Sequence, residues 1–188
     1  MIVISGVPGS GKTYFARLLS KELNFDYLSI TRLVQERKNV LSSGFDERRE
    51  SLIVNDEALL DELRKFPLDH LVVESISPSL LEGLPVQVVV IVRCPIRELF
   101  LRLRRRGYPP QKILENLEAE LLDVPLIEAL NSFGEDFVVE VDTTSSVDKS
   151  LDLVRSVLDG KIRPPIFLPK DKDTEFSEYE EILKSLRE

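Results

Sequence analysis

Gly6-Val7-Pro8-Gly9-Ser10-Gly11-Lys12-Thr13 follows the apolar run Ile2-Val3-Ile4 and Ser5, and opens a segment with apolar residues at Phe15, Leu18, Leu19 and Leu23. A short buried strand, a glycine-rich turn and an amphipathic helix are the context in which this spacing of Gly and Lys-Thr cradles phosphate. The glycines let the backbone turn tightly and approach an anion closely. Backbone N–H groups of Gly9, Gly11, Lys12 and Thr13 would point at phosphate oxygens, with the helix N-terminus adding a favourable dipole. Lys12 would reach the β- and γ-phosphates of a nucleoside triphosphate, and the Thr13 hydroxyl would ligate Mg2+. The stretch therefore implies ATP with magnesium, and transfer or hydrolysis of the terminal phosphate.

Outward from the loop, further apolar runs lie at Tyr27 to Ile30, His70 to Val73, Val86 to Val92 and Phe137 to Val141. They are rich in Val and Ile without polar alternation, as strands buried on both faces of a parallel sheet read. Segments with three-to-four-residue apolar spacing separate them, including Leu59-Leu60-Leu63, Leu99-Leu103, Ile113-Leu117-Leu121 and Leu151-Val154-Val157. The alternation predicts a three-layer α/β domain. Thr31 to Lys38 reads as helical and Ser42 to Asp46 as a loop. After Pro164-Pro165 and Pro169, the pattern predicts an extended strap and a terminal helix over Ser177 to Leu186.

The 188 residues, 43% hydrophobic, can bury one substantial core. No run is long enough for a membrane span or a signal peptide, which leads to the expectation of a soluble, cytoplasmic protein. A single cysteine, Cys94, excludes an internal disulfide and a cysteine zinc site, and a single histidine, His70, excludes a histidine cluster. The net charge of −8, from 33 acidic and 25 basic residues, opposes nonspecific adhesion to nucleic acid, so any such contact would be weak or indirect. Scarce Cys, Met, Trp, Asn and Gln with 31% charged residues form a pattern that hyperthermophile proteins tend to show.

Three further groups bear on chemistry. Glu74 ends the run His70-Leu71-Val72-Val73; it is either a carboxylate that holds magnesium or positions an attacking group, or a solvated strand end. Arg102 and Arg106 share a helix face beside Leu99 and Leu103, and Gly107-Tyr108-Pro109-Pro110 then breaks the helix. Two guanidiniums projected together suit an anionic ligand and can stabilise a transferring phosphoryl group by about 10³ to 10⁵ in rate. An RNA-binding patch and a solvated face are the alternatives. Arg93 is expected to pair with a carboxylate, His70 to sit at a strand entrance, and Asp142-Thr143-Thr144 to form a turn or to contact a base.

The phosphate loop, Gly44-Phe45-Asp46-Glu47, Asp56-Glu57 with Asp61-Glu62-Leu63, and the run RLRRRGYPPQKILENLEAEL from Arg102 to Leu121 resemble the small archaeal and nuclear adenylate kinases, called isoenzyme 6 in animals. The resemblance runs from about Met1 to Lys161. It implies a P-loop NTPase fold with a five-stranded parallel sheet ordered 2-3-1-4-5. Residues 1–161 would form a nucleoside monophosphate kinase domain with an NMP-binding insertion near 29–52 and a lid near 105–115, followed by a C-terminal extension over 162–188. It implies phosphoryl transfer from ATP to AMP, slow ATP hydrolysis, and a part in small-ribosomal-subunit maturation through a small-subunit ribosomal protein. Lys12, Arg106 and Glu74 would be catalytic; Gly9, Ser10, Gly11, Lys12, Thr13, Tyr14, Arg102 and Arg106 would bind nucleotide; Thr13 and Glu74 would serve the metal. Three positions depart from the family pattern: Glu74-Ser75-Ile76 replaces Asp-x-His, Gln35 stands where a phosphate-binding arginine is expected so that Arg32 or Arg37 would substitute, and Tyr14 replaces a small hydroxyl residue. An ATP-controlled assembly factor with little kinase activity, and a kinase for another small acceptor, are the competing readings.

Overall fold

A computed structural model describes residues 1–46 and 51–187. Residues 47–50, and with them Glu47 of the Gly44 to Glu47 stretch, lie outside the described residues. In chain order the elements are β1 (Ile2–Ser5), α1 (Lys12–Leu23), β2 (Asp26–Ser29), α2 (Ile30–Glu36), α3 (Lys38–Leu41), β3 (Ser42–Asp46), β4 (Ser51–Val54), α4 (Asp56–Leu63), β5 (Leu71–Glu74), β6 (Val88–Arg93), α5 (Ile96–Arg105), α6 (Pro110–Leu121), α7 (Val124–Phe133), β7 (Val138–Asp142), α8 (Val147–Leu158) and α9 (Lys172–Arg187).

Successive side chains of a strand point to opposite faces, and here both faces are apolar. Val3, Val73, Val89 and Ile91 pack on one side with Leu33, Leu59, Leu63 and Ala129 from α2, α4 and α7. Ile2, Ile4, Val72, Val88, Val90 and Val92 pack on the other with Phe15 and Leu19 of α1 and Leu151 and Val154 of α8. Each Val, Ile, Leu or Phe side chain among them contributes about 1.5–3 kcal/mol when fully buried. The sheet between the layers is parallel throughout, in the order β2-β5-β1-β6-β7. Counted among these five strands alone, that is the expected 2-3-1-4-5. No helix among the described residues is long and apolar enough to cross a membrane.

The stretch read as a loop from Ser42 is strand. β3 and β4 form an antiparallel hairpin, with Phe45 opposite Leu52 and Gly44 opposite Ile53. Leu52 and Val54 pack on the core while Ile53 is half exposed, an alternation too short to register in sequence.

The terminal helix begins at Lys172, five residues before its expected start. Asp171 caps it, accepting from Thr174 N at 3.2 Å and Thr174 Oγ1 at 2.7 Å. The preceding strap lies along β7, where Glu140 N donates to Ile166 O at 2.8 Å and Ile166 N to Val138 O at 3.2 Å. Ile182 of α9 is buried with Leu99 and Leu103 of α5 and Ile113 and Leu117 of α6, and Arg97 pairs with Glu181 at 2.8 Å. The strap is also fixed electrostatically. Buried Arg93 reaches Glu120 at 3.0 Å and pairs with Asp123, while Lys170 lies 2.9 Å from Glu140 and Lys172 lies 3.0 Å from Asp123. Arg93 thus has the carboxylate partners expected of it.

Candidate active site

The loop from Gly6 to Gly11 leaves the carboxyl end of β1, the edge of a parallel α/β sheet where ligands bind. Gly9 has φ +95°, and a Cβ there would lie 2.9 Å from Leu99 Cδ1 and 3.1 Å from Leu103 Cδ2. The apolar face of α5 therefore presses on the loop so closely that only glycine fits. Gly11, at φ +107°, caps α1 in the left-handed region that L side chains avoid. The first N–H groups of α1 then lack intrahelical acceptors, which makes them donors for an anion.

Beside the loop is a cleft of about 340 Å³. Pro8, Gly9, Lys12 and Thr13 form one wall; Glu74 and Ile76 lie on its floor side, Arg106 and Tyr108 follow α5, and Arg17, Tyr27, Ser29, Thr31 and Arg32 complete it. Glu74 reaches the loop because β5 pairs with β1 in a register that sets Glu74 opposite Ile4, one residue short of the β1 terminus. Thr13 Oγ1 donates to Glu74 Oε1 at 2.6 Å, and the Tyr27 hydroxyl donates to Glu74 Oε2. Burial and this bond hold the Tyr27 phenol above its ordinary pKa. Arg17 lies over the Tyr27 ring, its Cζ 5.2 Å from the centroid.

Lys12 is 8% exposed and donates to Val7 O at 3.4 Å. Burial pushes its ammonium down to about 8; Glu74 opposes that shift and Arg106 adds to it. The Lys12 ammonium, the Arg106 guanidinium and the Glu74 carboxylate thus feel one another across one cleft. Such an arrangement can hold a triphosphate, offset charge on a transferring group and offer hard oxygen donors to a divalent cation.

Of the expected residues, Gly9, Lys12, Thr13, Glu74 and Arg106 meet in the cleft. Arg102 does not line it. Its guanidinium braces the loop from the α5 side, donating to Gly9 O at 3.3 Å and Ser10 O at 3.1 Å while Glu98 accepts from Nε at 2.8 Å. The Ser10 side chain is fully buried, its backbone N–H donates to Val7 O at 3.1 Å, and Tyr14 is 59% exposed outside the cleft lining. Thr143 stands beside the loop, its Oγ1 3.0 Å from where a Cβ on Gly11 would be. Gln35 is exposed and lines no cleft wall, Arg37 is paired with Glu62, and Arg32 lines the cleft. Arg17 and Tyr27 escaped the sequence reading of the site, whereas Ser29 and Thr31 fall within the expected insertion near 29–52 and Tyr108 within the expected lid near 105–115. For Arg17 a signal existed, since it follows Thr13 by one helical turn and so shares its face.

A family model described as an AAA domain matches residues 2–123. The chain is 41% identical over 145 residues to the protein named "Putative adenylate kinase" in Saccharolobus solfataricus, a match covering 77% of this chain and 75% of the relative. It is 37% identical over 165 residues to a protein of that name in Thermococcus onnurineus, covering 83% and 84%. It is 32% identical over 158 residues to the adenylate kinase isoenzyme 6 homolog of Caenorhabditis elegans, covering 81% and 86%. Among solved structures, shikimate kinase from Acinetobacter baumannii in complex with shikimate superposes with a TM-score of 0.56 at 18% identity, over 86% of this chain and 94% of that one. A gluconokinase from Sinorhizobium meliloti gives 0.50 at 20% identity, over 85% and 89%. These two likenesses speak to the P-loop kinase fold alone. The identities to the curated relatives go further: the chain belongs to the family of archaeal adenylate kinases and adenylate kinase isoenzyme 6 homologues.

Proposed function

We propose that this protein transfers the γ-phosphoryl group of ATP to AMP, giving two ADP. The observation that carries the reading is the convergence of Lys12, Thr13, Glu74 and Arg106 on one cleft whose remaining wall is built from residues of α1, β2 and α2. In this reading residues 1–161 are the kinase domain, 29–52 the NMP-binding insertion, 105–115 the lid and 162–188 a C-terminal extension.

The donor lies on the loop, its phosphates against the N–H groups of Gly9, Gly11, Lys12 and Thr13. The Thr13 hydroxyl and the Glu74 carboxylate are hard oxygen donors 2.6 Å apart, a set that fits Mg2+ completed by phosphate and water. Bound there, magnesium supplies charge neutralisation on the β- and γ-oxygens. Lys12 and Arg106 stabilise the charge that spreads over the phosphoryl oxygens in flight, and the break at Gly107 lets Arg106 close over them. The acceptor attacks through an already ionised phosphate oxygen, so no general base is needed. Hydrolysis does need an oriented water. Ile76 places an apolar side chain at the cleft wall there, which favours transfer and leaves ATPase activity slow. A nucleotide-controlled contact with a small-subunit ribosomal protein in the cytoplasm belongs to the same proposal, since the net charge of −8 suits a basic partner.

The test is a coupled assay with MgATP and AMP, CMP, GMP or UMP. AMP-dependent ADP formation is expected. Intact ATP binding without transfer to any monophosphate would overturn the proposal.

A further inference from the structure

Position 35 cannot be where the acceptor's phosphate is held, because Gln35 carries no charge, is exposed and lines no wall of the cleft. Something else must hold that phosphate if the acceptor is a monophosphate. The net charge of the chain is −8, yet among the described residues the charged ones lining the cleft are four cations, Lys12, Arg17, Arg32 and Arg106, against Glu74 alone. In the proposed reaction Lys12 and Arg106 serve the donor. Arg17 of α1 and Arg32 of α2 line the same cleft, together with the hydroxyl-bearing Ser29 and Thr31. Two further cations lining a cleft in an acidic protein call for an anion there.

We infer that Arg17 and Arg32, which line the cleft together with Tyr27, form the subsite that grips the phosphate of a phosphomonoester acceptor. Each guanidinium is already steadied. Arg17 is stacked 5.2 Å over the Tyr27 ring, and Arg32 is held through Nε by Glu36 at 2.6 Å, which leaves both of its terminal nitrogens as donors. Arg32 also lines the adjoining cleft of about 200 Å³ with Tyr27, Ser29 and Leu33, room into which the rest of the acceptor can extend. Tyr27 ties Arg17 to the phosphate loop, because its ring carries Arg17 while its hydroxyl donates to Glu74, which in turn accepts from Thr13. Planar, forked guanidiniums are suited to a phosphate dianion and have no comparable task with a neutral polyol. Arg37, the second candidate to stand in for position 35, is engaged by Glu62.

The inference rests on the proposed transfer to AMP and is tested apart from it. Steady-state constants are measured for Arg17→Ala, Arg32→Ala and their double variant, with Arg37→Ala as the control and Arg17→Lys and Arg32→Lys as conservative variants. Both target side chains are exposed, so the fold survives their loss. Each alanine should raise the KM for AMP by about 10- to 100-fold, the loss of one charge-assisted contact, and leave the KM for ATP within about twofold. Lysine should restore part of the loss, and Arg37→Ala should change neither constant. An unchanged KM for AMP in an active wild type, or an equal rise in the KM for ATP, would overturn the subsite alone. A wild type inactive with every monophosphate would overturn the proposed function; equilibrium dialysis with labelled AMP then reads the subsite directly, and equal binding by wild type and double variant, or none by either, would overturn it too.

Discussion

Lys12→Met should make the empty protein more stable and the enzyme inactive, because the loop buries an ammonium that Glu74 compensates only in part. Burial holds Lys12 at about 8 where a free lysine titrates near 10.5. At about 1.4 kcal/mol per unit, keeping the charged form in the empty loop costs about 3 kcal/mol. The sign follows from proton counting. Below pH 8 Lys12 is charged in both the folded and the unfolded chain, and the cost is carried in full. Between about pH 8 and 10.5 the unfolded chain binds more protons than the folded one, so wild-type stability rises with pH and the cost fades. Methionine keeps the aliphatic stem and the approximate volume, and the bond lost, from Nζ to Val7 O, is a long one at 3.4 Å. Near pH 7 the variant should gain about 1–3 kcal/mol, or roughly 2–12 °C in Tm for a chain of this size, and the advantage should shrink towards pH 10.5. MgATP should raise the Tm of the wild type and not that of the variant. Scanning calorimetry across that pH range, with and without MgATP, reads all of these. A variant less stable than wild type near pH 7, or an advantage that does not change with pH, would refute the reasoning.

Other consequences are open to direct measurement. Glu74→Gln keeps the shape and one of the two acceptor oxygens but removes the charge; the magnesium concentration for half-maximal transfer should rise by about 10- to 100-fold, and an unchanged magnesium curve would contradict the assignment. Lys170→Met leaves Asp123 and Glu140 with one cation fewer beside the strap, and urea unfolding should show a loss of about 3–5 kcal/mol, whereas a loss under about 1 kcal/mol would mean that solvent already screens the pair. Burial pushes the Cys94 thiol up to about 12, so a thiol reagent near pH 8 should label the native protein only as fast as it unfolds; rapid labelling would contradict that burial.

The layered fold was readable because strands buried on both faces cannot alternate: Ile2, Val3 and Ile4 are all apolar, yet Val3 packs opposite to its neighbours. The phosphate loop was equally plain, since its glycines answer local backbone demands such as the left-handed turn at Gly11. Glu74 was found from its place at a strand end, but the β1–β5 register that brings it to Thr13 is a property of strand pairing. Arg102 shows where spacing misleads. It shares a helix face with Arg106, as expected, but the close approach of α5 to the loop leaves its guanidinium on the carbonyls of Gly9 and Ser10. The wall from α1, β2 and α2 was less legible still, because Arg17, Tyr27 and Arg32 come from three elements and only tertiary packing makes them neighbours. In the tail, Tyr179, Ile182 and Leu186 form a stripe that announces a docked helix without saying that α5 and α6 receive it.

Transfer of label from γ-labelled ATP decides most directly whether these parts act together as a kinase. In the presence of Mg2+ and AMP, the label should appear in the β-phosphate of newly formed ADP at a rate that depends on AMP and falls to background in Lys12→Met. Label found only in inorganic phosphate, at a rate indifferent to AMP, would contradict the assignment of Arg106 and the remaining wall of the cleft to phosphoryl transfer between nucleotides.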